Sequence, residues 1–165
     1  MIQKKLPVAL LFFSFVFSQE GGLDNSFHDD GAVFTAFPTR AVQIQSDGKI
    51  VVAGVSGGSF ALARYNSNGV PDNTFGDDGF VYTDVAANDS DEAEDLAIQS
   101  DGKIVVAGWT TNSSQYDFAL VRYFSDGAID TTFGNRGIVV TDLGTNTDDK
   151  SQAVAIKSNG KIVVV

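Results

Sequence analysis

Gly54-Val55-Ser56-Gly57-Gly58 has the G-x-S-x-G spacing that holds a nucleophilic serine on a sharp turn. That chemistry also needs a histidine to take the serine proton, an acid to orient it and a helix behind the turn. Here a strand pattern follows, and the one histidine, His28, lies in a different stretch of chain, so no catalytic residue is expected. The acidic run Asn88 to Asp95 offers carboxylates of the kind Ca²⁺ gathers in sets of six to eight oxygens. Ala93 falls where an EF-hand loop would put a ligand, and Asp-Asp-Gly at 29–31 and 77–79 is too short to close a site. The run therefore reads as a solvated loop; calcium is the one cofactor with any basis, and neither a cofactor nor a metal site is expected. Trp109, the single tryptophan, and Tyr116 are the candidate binding residues, able to offer aromatic faces to a sugar or a peptide. The competing reading has Trp109 sealing the edge of a core.

Other classes of chemistry are excluded by composition. There is no cysteine, hence no disulfide, thiol nucleophile or Cys-based zinc site. Eleven basic residues against 21 acidic ones, with no basic cluster, repel nucleic acid. No phosphate loop or dinucleotide fingerprint occurs.

The elements that must carry these residues are repeated. AVQIQSDGKIVVAG at 41–54 returns as DLAIQSDGKIVVAG at 95–108 and as AVAIKSNGKIVVV at 153–165. LDNSFHDDG at 23–31, PDNTFGDDG at 71–79 and IDTTFGNRG at 129–137 form a second series, and SFALARYNSNG at 59–69 with DFALVRYFSDG at 117–127 a third. A period near 50 residues marks a stack of like supersecondary units, each burying its apolar faces against its neighbours. Every unit holds four strand candidates: the AIQ stretch, IVVAG, FAL-x-RY and the stretch after D-x-[ST]-F-x-x-x-G. Apolar residues alternate in the first, whereas IVVA and FALV are apolar on both faces, as inner strands require. SDGK predicts a two-residue type I′ hairpin between the first two. The expected fold is all-β: a partial β-propeller of four-stranded antiparallel blades. Its units lie near 23–70, 71–128 and 129–165, the third truncated.

These three phrases, in fixed order over residues 23–165, closely resemble the delta-60 repeat family, also classed as a β-propeller domain of unknown function. The resemblance implies a large secreted or surface-exposed, mostly bacterial repeat protein and supplies no catalytic residues. His28 departs from the pattern, standing where the other copies have Gly76 and Gly134; if that position needs positive φ, the first turn is strained or differently shaped.

Arg64 and Arg122 sit inside apolar strands, each eight residues before an aspartate, Asp72 or Asp130. A structural pairing that fastens the third strand to the following turn is expected. Phe27, Phe75 and Phe133 read as plugs packing each turn on the core.

In an up-and-down sheet the SDGK and D-x-[ST]-F turns share one end. The other two connections share the opposite end, and all length variation falls there: four residues between Gly54 and Ser59 but eight between Gly108 and Asp117, and nine between Gly31 and Ala41 but fifteen between Gly79 and Asp95. That variable face, with residues 55–58, 84–94, 109–116 and 142–152, is the candidate functional surface.

Residues 1–18 read as an export signal: Lys4 and Lys5, an apolar run from Leu6 to Phe17, then small residues before a cleavage point at Gln19. The mature array, 19–165, carries no membrane span. The third unit breaks off after IVVV, where the others continue, so further repeats of the same chain are expected. The leading functional expectation is a secreted or cell-surface, non-enzymatic propeller that binds a protein or glycan through its loops. The alternative is a fragment of an extracellular hydrolase or lyase whose catalytic residues lie in missing blades.

Overall fold

The computed structural model describes residues 12–15, 21–86, 90–112, 115–144 and 147–165. Residues 1–11 and 16–20, which hold Lys4, Lys5 and the cleavage point, lie outside them, as do Asn88 and Asp89.

Two complete antiparallel blades form from the repeats. Blade 1 is β3 (Thr39–Ile44), β4 (Ile50–Ser56), β5 (Ser59–Tyr65) and β6 (Phe80–Thr83), hydrogen-bonded in that order. Blade 2 is β7 (Asp91–Ile98), β8 (Ile104–Asn112), β9 (Gln115–Tyr123) and β10 (Ile138–Thr141). A third unit contributes the pair β11 (Val154–Ile156) and β12 (Ile162–Val164), and β1 (Phe12–Phe15) pairs with β2 (Ala32–Thr35). The described residues contain no helix, so this is an all-β, partial propeller.

Strand alternation explains the packing. Val51, Ala53, Phe60 and Leu62 on one face of blade 1 meet Leu96, Ile104, Val106, Ala119, Val121 and Tyr123 of blade 2 in a single cluster. The other face of β4 and β5, with Val52, Ala61, Ala63 and Tyr65, packs on Phe27, Val33 and Phe37. On the far side of blade 2, Ala97, Val105 and Ala107 meet Val154. IVVA of β4 and β8 is therefore apolar throughout because each of these strands buries both its faces, whereas FALV of β9 buries Ala119 and Val121 against blade 1 and leaves Phe118 and Leu120 half-buried. The glycine ending IVVAG answers a close approach: a Cβ on Gly54 would lie 1.8 Å from the Pro38 carbonyl oxygen, and one on Gly108 1.9 Å from that of Glu92. Both carbonyls sit at a bulge of the first strand, between Thr39 and Ala41 or between Ala93 and Asp95.

The hairpin expectation needs correction. Asp47, Asp101 and Asn159 do not take positive φ; only the glycines after them do, at 85°, 85° and 78°. Gly48 N–H donates to Gln45 O at 2.9 Å and Gln45 N–H to Lys49 O at 2.8 Å, which makes Ser46-Asp47-Gly48 a three-residue loop of type I turn plus left-handed glycine. Asp47 Oδ1 accepts from Lys49 N–H at 3.1 Å, a local bond that holds the aspartate in the ordinary φ range. The I′-like turn is at Gly57-Gly58, both with positive φ, closed by the Ser56↔Ser59 pair. Ser56 therefore sits on a strand-to-strand hairpin, with no helix behind it.

His28 does take positive φ, 52°, beside 54° at Gly76 and 53° at Gly134. The first turn is also shaped differently. Asp77 N–H and Asn135 N–H reach Phe80 O and Ile138 O, whereas in the first unit Ala32 N–H turns to Asp30 Oδ1 at 3.2 Å. A Cβ at Gly76 would lie 2.2 Å from Phe80 O, so a histidine requires that rearrangement.

Candidate functional face

The two ends of the blades differ in kind. At the turn end, Asp72 and Asp130 use Oδ1 to accept both the N–H and the hydroxyl of the threonine two residues on, which is why the phrase is D-x-[ST]. Their other oxygen takes an arginine: Arg64 Nε to Asp72 Oδ2 at 2.8 Å, Arg122 Nε to Asp130 Oδ2 at 2.9 Å. The phenylalanine of the same phrase lies beneath the guanidinium, Phe75 at 4.7 Å from Arg64 and Phe133 at 4.4 Å from Arg122. Burial pushes the Asp72 carboxyl up, but Lys49 at 2.8 Å, the Thr74 bonds and the Arg64 charge outweigh it, and the group is held far below 3.8. Asp130 is lowered as well, by Thr132 first and Arg122 last, against burial. Sequence reasoning missed one reach of Arg64: Nη1 crosses to the next blade and donates to Ser125 O, beside Gln45 Nε2 on the same carbonyl. Phe27 occupies the plug position of the first unit and is buried.

The loop end carries the irregular residues. The eight residues between Gly108 and Asp117 extend the hairpin, with β8 and β9 paired out to Asn112↔Gln115. They rise two residue pairs, roughly 7 Å, beyond the turn of blade 1. On this extension Trp109 is 8% exposed and meets Tyr116 edge-on at 4.7 Å. Lys150 sets its ammonium over both rings, 3.4 Å from the Tyr116 centroid and 4.3 Å from that of Trp109. Trp109 Nε1 donates to Glu94 Oε1 at 3.4 Å, and Arg40 of blade 1 pairs with Glu92 and Glu94 across the joint. The tryptophan is thus a sealed element clamping the loop into the third unit, while Tyr116, half-buried, and Lys150, exposed, remain accessible.

The acidic run is not a loop over its whole length. Asp91 to Asp95 lies in β7, with each described acid engaged by the protein: Asp91 Oδ2 accepts from Val85 N–H at 2.7 Å, Glu92 and Glu94 meet Arg40, and Asp95 Oδ2 accepts from Val154 N–H. Burial raises Asp91, with Asp84 adding to it, against the bonds from Thr110 and Val85. Fifty-eight residues on, Asp149 Oδ2 accepts from Leu143 N–H at 2.8 Å in the same way. Asp117, Asp142 and Asp149 bring one oxygen apiece within 4.8 Å of one another, but Asp142 and Asp149 are committed to the amides of Gly144 and Leu143. An aspartate spaced seven from another, Asp84 to Asp91 and Asp142 to Asp149, was the readable signal of this loop closure.

No helix among the described residues is long and apolar enough to cross a membrane. No curated protein matches the chain. Residues 45–75 and 99–133 match the family model "Domain of unknown function (DUF5122) beta-propeller". Those segments hold the two inner strands of each blade, β4 with β5 and β8 with β9, and with the four-stranded antiparallel blades around them the chain is a repeat protein of β-propeller type.

Proposed function

We propose that this protein is a secreted or cell-surface, non-enzymatic propeller scaffold that binds a protein or glycan partner through the loop end of its blades. The observation that carries the reading is the contrast between the ends. The turn end repeats one hydrogen-bonded device, whereas the loop end raises the β8–β9 hairpin with Tyr116 and Lys150 at its flank. An accessible aromatic beside a cation on a rigid hairpin suits the hydroxyls and apolar ring faces of a sugar, or a peptide side chain. Ser56 lies on a glycine hairpin between two strands rather than ahead of a helix, and the one histidine of the sequence, His28, belongs to another unit, which supports the non-enzymatic reading. Lys4, Lys5 and the apolar run to Phe17 support export.

The test is binding of the chain to glycan and peptide arrays, with Tyr116→Ser and Lys150→Ala compared with the turn-end variant Asp101→Ala. Loss of signal in the first two alone is expected. Binding that depends on Asp101 instead, or turnover of chromogenic esters or glycosides, would overturn the reading. N-terminal sequencing of exported protein should begin at Gln19.

A further inference from the structure

Each unit's outermost strand is free of charge, although the chain holds 21 acids and 11 bases: AVFT in β2, FVYT in β6 and IVVT in β10. A sheet edge that faces water usually carries lysine, proline or a bulge. The third residue of these strands is also large and exposed, 55% at Tyr82 of β6 and 44% at Val140 of β10. Val140 shares the strand face of Ile138, which packs into the joint with blade 1, so it is exposed with a whole blade beside it. The exposure therefore belongs to this position of the repeat.

At Tyr82 the position becomes an aromatic site. Phe80, two residues back on the same face, lies parallel to its ring within 7°, with centroids 6.3 Å apart, and Phe37 meets the ring edge-on at 6.4 Å. Phe37 is buried and Phe80 packs on the cluster of β4 and β5, so both are anchored while Tyr82 stands out to solvent. The backbone beside the ring is open as well. Arg64 N–H donates to Gly79 O at 3.1 Å, and Leu62↔Val81 continues that hydrogen-bonded alternation, so Phe80 and Tyr82 turn their backbone groups away from β5. Phe80 N–H donates to Asp77 O at 3.0 Å and Phe80 O accepts from Asp77 N–H at 2.8 Å, which closes the edge there. Among the described residues the outward N–H and C=O of Tyr82 meet no other strand.

We propose that Tyr82 and the edge of β6 beside it bind a neutral, β-linked polysaccharide, at a site separate from the loop-end one. A pyranose with equatorial substituents presents a face of C–H groups inside a girdle of hydroxyls. The face lies on the Tyr82 ring, and hydroxyls take its outward N–H and C=O. A ligand without charge matches a strand without charge, and it meets no repulsion from a chain of net charge −10. A peptide strand is the poorer fit. With Phe80 closed by Asp77, one residue of free edge offers too few main-chain bonds to hold an added strand. The site is on the fourth strand of blade 1, whereas Tyr116 is on the third strand of blade 2, so either can fail without the other.

Affinity electrophoresis in native gels containing a soluble β-1,4-glucan should retard the wild type. Tyr82→Ser, an exposed change that leaves the core intact, should weaken the affinity about tenfold, the worth of one ring contact. Tyr82→Phe should keep it, because the ring and the backbone groups remain. Val140→Tyr places a ring on the equivalent edge of blade 2 and should strengthen binding, while Tyr116→Ser should leave it unchanged. Wild-type migration unaffected by the glucan, equal retardation of Tyr82→Ser, no gain from Val140→Tyr, or a loss with Tyr116→Ser would overturn the proposal. So would light scattering that gives twice 17.5 kDa for the wild type and 17.5 kDa for Tyr82→Ser, since the ring would then be a contact between copies.

Discussion

The joint between blades 1 and 2 and the outer face of blade 2 are built from the same phrases, and they differ in what covers them. In the joint, Phe75 is fully buried and the Arg64 side chain is 6% exposed, with its guanidinium spread over Asp72, Gln45, Thr74 and a carbonyl of the next blade. On the outer face the Arg122 side chain is 19% exposed and keeps Asp130 and Phe133, with no bond to another unit among the described residues. A repeat therefore encodes a device whose strength is completed by the adjoining unit, as nearest-neighbour stability in stacked repeats requires.

Substitution at equivalent positions sharpens that contrast. Phe75→Ala should cost about 3–5 kcal/mol in denaturant unfolding, the range for emptying a sealed core site, and Phe133→Ala only about 1 kcal/mol in the isolated chain. Equal costs would erase the distinction between the two faces. Arg64→Met should remove on the order of 3 kcal/mol, because Asp72 stays buried with Lys49 as its main counter-charge, and Arg122→Met should lower the melting temperature less. The Asp72 contribution has a defined pH window. Its folded value lies below 3.8, so the stabilisation is present above that pH and is lost as pH falls below it, and Asp72→Asn should flatten the acid limb of the melting profile.

His28→Gly tests whether the first turn is the strained copy. It should gain about 1 kcal/mol, since a left-handed residue with a Cβ becomes one without; a loss would mean that the rearranged turn depends on the histidine. Asp91→Asn has the opposite pH sign from Asp72. Burial raises this carboxyl, so the wild type is penalised as pH rises through its folded value; the variant should melt higher at pH 7 and the difference should vanish below pH 3.8. Ser56→Ala should change stability by no more than about 0.5 kcal/mol and leave any esterase background untouched.

Much of this was legible in the residues themselves. Four strands per unit followed from alternation and from double-faced apolar runs, because side-chain period and burial are local consequences of a strand. The eight-residue spacing of Arg64 to Asp72 and of Arg122 to Asp130 marked pairs that the fold brings into contact. The loop end was harder to read. Glu92 and Glu94 look like a solvated charge run in isolation, yet Arg40, some fifty residues earlier, meets them across the blade joint. Nothing near Trp109 or Tyr116 in the sequence points to Lys150, which reaches both rings from the loop entering the third unit.

By itself the sequence determined the unit, its strand order and the chemistry at its turns, since these depend on residues within a dozen positions of one another. Tertiary structure decided which copies are sealed: Ser125 of blade 2 completes Arg64 of blade 1, and Gly127 covers Phe75. The physical reason is the same in each case: burial and hydrogen-bond completion are properties of a pair of surfaces, and a repeated phrase specifies only one of the two.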